Sequence, residues 1–154
     1  MLHLDPKNWL SETYVVRESA RLITEVHIRW FKEAGAFTLE GERYRIGREG
    51  LMSGEFFIKG PRATIATATK PSAFTRHFVV RIDGKTYSLR GKSLFGRTYE
   101  LRRGRELVGT VAPQSWLSRK AQADLPEDMP IETQVFIAWL VLVMWKRSRS
   151  ASSS

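Results

Sequence analysis

Basic side chains near the ends of the predicted strands are the residues best suited to bind another molecule. Arg43 and Arg45 share one strand face, Arg48 lies just beyond, and Lys59 and Arg62 flank the next turn. A guanidinium group binds phosphate through two parallel hydrogen bonds. If the two copies of an internal repeat pack side by side, these side chains could converge on one phosphate and form an anion site. The alternative is that they are separate, solvated side chains at the ends of strands. The candidate ligand-binding residues are Arg43, Arg45, Arg48, Lys59, Arg62, Arg102, Arg103 and Arg105.

Patterns that would support catalysis or metal binding are weak. His3, His27 and His77 lie far apart, and none has a carboxylate or second histidine at metal-ligand spacing. The glycines of residues 47–54 fit neither a P-loop nor a dinucleotide fingerprint, and no serine stands in a nucleophile elbow. We therefore expect no metal, no cofactor and no enzymatic activity. A catalytic site assembled only in three dimensions is the alternative left open.

The net charge favours anionic partners. The chain of 154 residues has 25 Lys and Arg against 16 Asp and Glu, a net charge of +9. Residues 41–120 carry +11, and residues 1–40 and 121–154 each carry −1. Such a field attracts phospholipid head groups or nucleic acid. Cysteine is absent, which excludes disulfides and thiolate chemistry, and the first residues lack the pattern of a signal peptide, so we expect a cytoplasmic location.

The elements that must position these residues are predominantly β-strands. Ten short segments combine alternating apolar residues with β-branched or aromatic side chains, a pattern typical of antiparallel sheets. They are residues 13–18, 23–31, 36–40, 43–46, 55–59, 63–69, 74–82, 86–90, 98–102 and 106–111. Tight hairpins are predicted at Glu40-Gly41, Asp83-Gly84 and Arg103-Gly104 because glycine tolerates the positive φ of such turns.

An internal repeat links two of these strand groups. At an offset of 43 residues, Gly41 aligns with Gly84, Tyr44 with Tyr87, Ile46 with Leu89 and Leu51 with Leu94. The alternating apolar positions stay in phase, which predicts a duplicated strand meander. Chance alignment of two alternating segments is the alternative.

The C-terminal segment predicts a helix over residues 130–146. Eleven uninterrupted apolar residues run from Val135 to Trp145, so the helix has no polar face and must be enclosed. The 15 residues from Ile131 to Trp145 span about 22 Å, less than the roughly 30 Å of a bilayer core. Enclosure by protein is therefore favoured, and a tail anchor in a membrane is the alternative.

These elements predict a mainly β fold. We expect one domain, residues 1–147, in which a closed or nearly closed antiparallel barrel of about 10–12 strands surrounds the hydrophobic helix. A barrel of more than about eight strands has a lumen, and an α-helix fills it. The polar residues 148–154 are expected to form a disordered tail.

The combination of a basic, duplicated meander with a wholly apolar terminal helix resembles the Tubby C-terminal-like barrel superfamily, which includes LURP-one-related proteins, phospholipid scramblases and small bacterial relatives. The segments that carry the resemblance are the hairpins at 37–46 and 99–111 and the helix Val135–Trp145. It implies a closed barrel of about twelve strands around the helix. It also implies affinity for phosphoinositide head groups, which some members bind. The chain lacks the acidic calcium-binding segment and the Cys-rich region of scramblases, so lipid scrambling is not expected.

The functional hypothesis is a monomeric, non-enzymatic binding module that recognises anionic, phosphoinositide-like phospholipid head groups. Binding would occur through a basic barrel face, peripherally at the cytoplasmic membrane surface. The alternatives are a nucleic-acid-binding barrel, whose exposed aromatic residues stack on bases, a protein-interaction barrel with an unknown partner, and the tail-anchored protein.

Overall fold

The computed structural model describes residues 1–8, 12–50 and 54–152. Twelve antiparallel strands form a closed barrel in which each strand pairs with its neighbours in sequence, and β1 pairs with β12 to close the ring. The predicted mainly β closed barrel is confirmed. The elements are β1 Leu2–Pro6, β2 Thr13–Glu18, β3 Arg21–Arg29, β4 Ala34–Leu39, β5 Glu42–Arg48, β6 Glu55–Lys59, β7 Thr64–Thr69, β8 His77–Ile82, β9 Lys85–Gly91, β10 Tyr99–Arg103, β11 Glu106–Pro113, β12 Ala121–Asp124 and α1 Ile131–Ser152.

All ten predicted strands are present, and the two that sequence reasoning missed are β1 and β12. The β12 sequence, Ala-Gln-Ala-Asp, contains residues that are depleted in strands. Its alanines nevertheless point inward and are fully buried, because they face the central helix. β1 pairs with β12 from Leu2 to Leu4, so the two missed strands complete the ring together.

Two of the three predicted hairpin turns lie where the sequence predicts them. Asp83 and Gly84 have φ values of 49° and 73°, and Glu40 and Gly41 have 50° and 80°, as tight hairpins require. The third turn lies at Gly104-Arg105, one residue later than predicted. The two repeat copies are the consecutive meanders β4–β7 and β8–β11. Leu51, the predicted partner of Leu94, lies outside the described residues.

The helix α1 runs through the lumen. Every residue from Thr133 to Val143 is buried, so no face of this stretch meets solvent. Trp139 is fully buried and packs edge-on against Phe56 of β6, with ring centroids 6.0 Å apart. Protein encloses the apolar helix, as predicted. Within residues 1–8, 12–50 and 54–152, no helix is both long and apolar enough to cross a membrane.

The helix bounds differ from the prediction at both ends. The helix starts at Ile131 rather than at residue 130, where the Pro130 carbonyl accepts hydrogen bonds from the amides of Thr133 and Gln134, both at 3.0 Å. It also continues through Ser152, so the predicted disorder from residue 148 is wrong for residues 148–152. Once a helix is formed, each further residue that is fixed adds one hydrogen bond, whereas starting a helix fixes three residues for one bond. Residues 153–154 lie outside the described residues.

Because successive strands run in opposite directions, their connections lie alternately at the two ends of the barrel, and the two ends differ. The turn end contains residues 19–20, 40–41, 60–63, 83–84, 104–105 and 125–130, and α1 enters the lumen there. The helix-exit end contains the described residues of the longer loops and the last turns of α1. These are residues 7–8, 12, 30–33, 49–50, 54, 70–76, 92–98, 114–120 and 144–152.

A substitution in the lumen should destabilise the barrel far more than the same substitution outside it. We expect Trp139→Ala to lower the free energy of unfolding by about 3–5 kcal/mol, because it leaves a cavity between the helix and the strands. Trp116→Ala, at a position that is 80% exposed, is the matched control and should change it by less than about 0.5 kcal/mol. Urea unfolding followed by circular dichroism measures both. Equal losses would contradict the central position of the helix.

Candidate functional site

The two ends of the barrel carry opposite charge. The helix-exit end has eleven Lys and Arg against three Glu, a net charge of +8. The turn end has two Arg against four Asp and Glu, a net charge of −2. The positive charge therefore lies at one end of the barrel axis. A field of this form orients the protein relative to an anionic surface.

Glu33 holds the last turns of α1 to the β3–β4 loop. Its carboxylate accepts two hydrogen bonds from the Arg147 guanidinium, both at 2.6 Å, and forms an ion pair with Arg48 at 3.1 Å. The carboxylate side chain is 13% exposed. Glu33 also has a φ of 50°, a conformation that costs a non-glycine residue about 1–2 kcal/mol. Two guanidinium groups sharing one carboxylate compensate for this cost.

A buried ammonium group lies beside this pair. Lys70 is 6% exposed, and its Nζ donates hydrogen bonds to the carbonyls of Ser72 at 2.7 Å and Ala73 at 2.8 Å. Burial lowers the pKa of Lys70, and the positive charge of Arg147 lowers it further. The two carbonyl oxygens accept from two of the three ammonium hydrogens and do not neutralise the charge. The lysine fixes the β7–β8 loop and leaves a positive field around it.

A second cluster of guanidinium groups, Arg97 and Arg149, lies near Trp145 at the end of α1. Arg97 lies 4.2 Å from the centre of the Trp145 ring, and the Trp145 indole donates to the Arg97 carbonyl at 2.8 Å. Burial lowers the pKa of Arg97 and of Arg149, and repulsion by Arg149 lowers the Arg97 value further. These guanidinium groups are close enough to repel each other, which strengthens the positive field at this end.

A groove opens beside the first cluster, at Glu33, Lys70 and Arg147. It has a volume of about 930 Å³, and its lining includes Trp30, Lys70, Lys146 and Arg147. A second groove of about 860 Å³ lies on the Arg97 side of the same helix. Cationic walls with aromatic side chains suit an anionic group that also has apolar surface. The arrangement can hold anions by charge and hydrogen bonds.

The structure separates the eight predicted anion-binding residues. β5 and β10, which carry the two groups, lie five positions apart in the ring of twelve strands, so they are on nearly opposite sides of the barrel. The two repeat copies are adjacent in the ring, but the strands that carry the two groups are not neighbours, so the two groups of basic side chains do not converge. The physical reason is the meander, in which every strand pairs with its sequence neighbours and four strands separate β5 from β10.

Each predicted residue has its own surroundings. Arg43 and Arg45 line a groove on the barrel wall with His27, and Lys59 lies opposite Arg45 in the strand register. Arg48 alone among the eight lies beside Glu33 and the helix-exit groove. The remaining positions lie on β10 or at the turn end. Arg102 binds Glu100 at 3.2 Å and the Arg105 carbonyl at 3.0 Å, Arg103 pairs in register with Glu106, and Arg62 lies in the β6–β7 turn.

The sequence reasoning missed most of the cationic side chains at the helix-exit end. The missed residues lie in loops or at the end of the helix, whereas the predicted site rests on alternation within strands. They are Lys70, Arg97, Lys146, Arg147 and Arg149. The net charge of alternate connections is a signal in the sequence that could have found them. In an antiparallel meander every second connection lies at the same end, so the charges of alternate loops can be added together.

Comparisons with protein-family models, with curated proteins and with solved structures found no match to this chain. The resemblance to the Tubby C-terminal-like barrel superfamily therefore stays a prediction.

Removal of the Glu33 charge should destabilise the helix-exit end. We expect Glu33→Gln to lower the free energy of unfolding by about 1–3 kcal/mol, because Arg48 and Arg147 lose their shared carboxylate. The loss should shrink at high salt, which screens the remaining like charges. Urea unfolding at two salt concentrations measures it.

Glu49→Gln is the matched control for this charge change. Its ion pair with Lys59, at 3.4 Å, lies at the surface, so we expect a change of less than about 1 kcal/mol. Equal effects of the two substitutions would show that Glu33 does not hold the helix end.

Proposed function

We propose that this protein is a non-enzymatic binding module that docks its helix-exit end on an anionic phospholipid surface. The observation that carries the proposal is the separation of charge along the barrel axis, +8 at the helix-exit end and −2 at the turn end. Each Lys or Arg close to an anionic membrane contributes about 1 kcal/mol of attraction. The same gradient repels the turn end, so it favours one orientation.

The lysines at this end are available to a ligand. Lys32, Lys92, Lys120 and Lys146 are exposed and come from three different loops and the helix. In the described part of the chain, none of the four forms an ion pair with a carboxylate. Because they surround the exit of α1 on separate elements, a broad anionic surface can contact them together. This distribution supports a membrane surface.

Several arginines at the same end have a structural role. Arg147 and Arg48 bind Glu33, and Arg97 lies against Trp145. They fix the shape of the end, while the lysines supply exposed positive charge. The groove of about 930 Å³ beside Lys70 and Lys146 offers room for a phosphorylated head group. The wall residues Arg43 and Arg45 are the alternative location for the same function.

Two variants of equal net charge test where the anionic lipid binds. The helix-exit variant combines Lys32→Gln, Lys92→Gln, Lys120→Gln and Lys146→Gln. The second variant, called the wall variant, combines Arg43→Gln and Arg45→Gln on the barrel wall with Arg62→Gln in the β6–β7 turn and Arg103→Gln at the end of β10. Both variants reduce the net charge from +9 to +5. All eight side chains are exposed, so both variants should fold. Co-sedimentation with phosphatidylcholine vesicles, with and without phosphatidylserine, measures binding.

We expect the helix-exit variant to bind anionic vesicles at least tenfold more weakly than the parent protein, because about 1 kcal/mol is lost for each adjacent charge. The wall variant should lose less than about threefold. The opposite order would assign binding to the wall, and equal losses would show that only net charge matters. Either result would contradict docking through the helix-exit end.

A further inference from the structure

The most exposed large apolar side chains lie at the helix-exit end. Of the nine that are exposed among the described residues, six lie at this end and are 73–98% exposed. The remaining three, Met1, Leu22 and Leu107, lie near the turn end and are 47–56% exposed. The six are Phe31, Phe74, Leu94, Phe95, Trp116 and Leu117. A concentration of this kind marks an interaction surface.

We propose that these six side chains form an apolar crown that inserts into the interfacial region of the lipid bilayer and anchors the barrel end-on. The inference rests on the proposed function, because the lysines around the crown bring it to the membrane. It goes further by assigning a contact with the lipid itself rather than with its charge. Aromatic side chains prefer the boundary between head groups and hydrocarbon, and cationic side chains beside them bind the phosphates.

Two of the apolar loops are held at their bases by cationic side chains. Lys70 donates to the carbonyls of Ser72 and Ala73, immediately before Phe74. The β3–β4 loop, which carries Phe31, is held by the pair between Glu33 and Arg147. In both loops the polar contacts hold neighbouring residues, and the rings of Phe31 and Phe74 remain 96% and 98% exposed.

The other two apolar loops are held by arginines in the same way. Arg76 donates to the carbonyls of Ser93 and Gly96, which lie on either side of Leu94 and Phe95. Arg97 donates to the Trp116 carbonyl at 3.2 Å, next to Leu117. A crown whose loops are already fixed loses little conformational entropy when it binds. The arginines therefore explain how apolar side chains stay exposed in the free protein.

The chemistry of the crown favours a bilayer over a second copy of the chain. Two copies meeting crown to crown would bring together two ends that each carry +8, which opposes association. An anionic bilayer offers negative charge at the level of the lysines and apolar material at the level of the rings. In three of the four loops every crown side chain is phenylalanine or leucine, and these side chains have no hydrogen-bonding group. Such side chains are suited to contact with acyl chains.

Fluorescent labelling at single sites tests insertion in the full chain. The sequence contains no cysteine, so Phe95→Cys and Leu22→Cys each create one attachment site for an environment-sensitive fluorophore. Phe95 lies in the crown, and Leu22, at the far end of the barrel and 56% exposed, is the matched control. The probe is a vesicle of phosphatidylcholine and phosphatidylserine that contains spin-labelled acyl chains. We expect quenching at position 95 and none at position 22.

A second variant measures what insertion adds to binding. Phe31→Ser, Phe74→Ser, Phe95→Ser and Leu117→Ser together remove most of the crown and keep every charge, and Leu22→Ser with Leu107→Ser is the control. We expect the crown variant to bind at least tenfold more weakly and to be released by salt, whereas the parent protein keeps a salt-resistant component. Circular dichroism verifies that both variants fold.

The outcomes separate the two proposals. Binding to anionic vesicles without quenching at position 95, together with an unchanged affinity of the crown variant, would overturn insertion and leave the proposed function standing. Failure of the parent protein to bind anionic vesicles would overturn both. Self-association of the parent protein that the crown variant loses, without quenching by lipid, would assign the crown to a second copy and would overturn insertion.

Discussion

The structure depends on the need to remove an entirely apolar helix from water. Eleven successive residues of α1, from Val135 to Trp145, have no polar side chain, so packing on one side would leave the other side exposed. A closed ring of twelve strands satisfies this requirement, because it surrounds the helix and also pairs every strand edge. The inward residues of the strands are correspondingly apolar, and alanines occupy the inward positions of β12.

The same constraint determines where function can lie. In the described part of the chain the helix occupies the lumen and is buried from Thr133 to Val143, so the surfaces left for partners are the wall and the ends. The helix emerges at the end where the longer loops lie, and its last turns add three cationic residues, Lys146, Arg147 and Arg149. Glu33 connects this emerging segment to the β3–β4 loop, and Lys70 fixes the β7–β8 loop beside it through the Ser72 and Ala73 carbonyls. The core requirement thereby produces a basic, loop-rich end that is suited to a negatively charged surface.

Much of the fold could be predicted from local signals, and the candidate site could not. Alternation along the strands, the Asp83-Gly84 turn and the apolar helix each have a local physical cause, so a single sequence reveals them. β12 was not predicted because its alanines are suited to a strand only when they pack against the helix, which is a tertiary effect. The predicted anion site combines residues on strand faces, and Arg43 and Arg102 of that site lie on nearly opposite sides of the ring. The contact between Glu33 and Arg147 joins residues 114 positions apart, so the local sequence around either residue does not reveal it.

Vesicle co-sedimentation of the unaltered protein decides whether the basic end docks on a membrane. It is done with neutral or anionic lipid, at low and near-physiological salt, and with soluble RNA as competitor. Docking of the basic end on a membrane predicts binding that requires anionic lipid, weakens with salt but is not abolished by it, and resists RNA. An absence of binding to anionic vesicles at low salt, or complete displacement by RNA, would contradict the account.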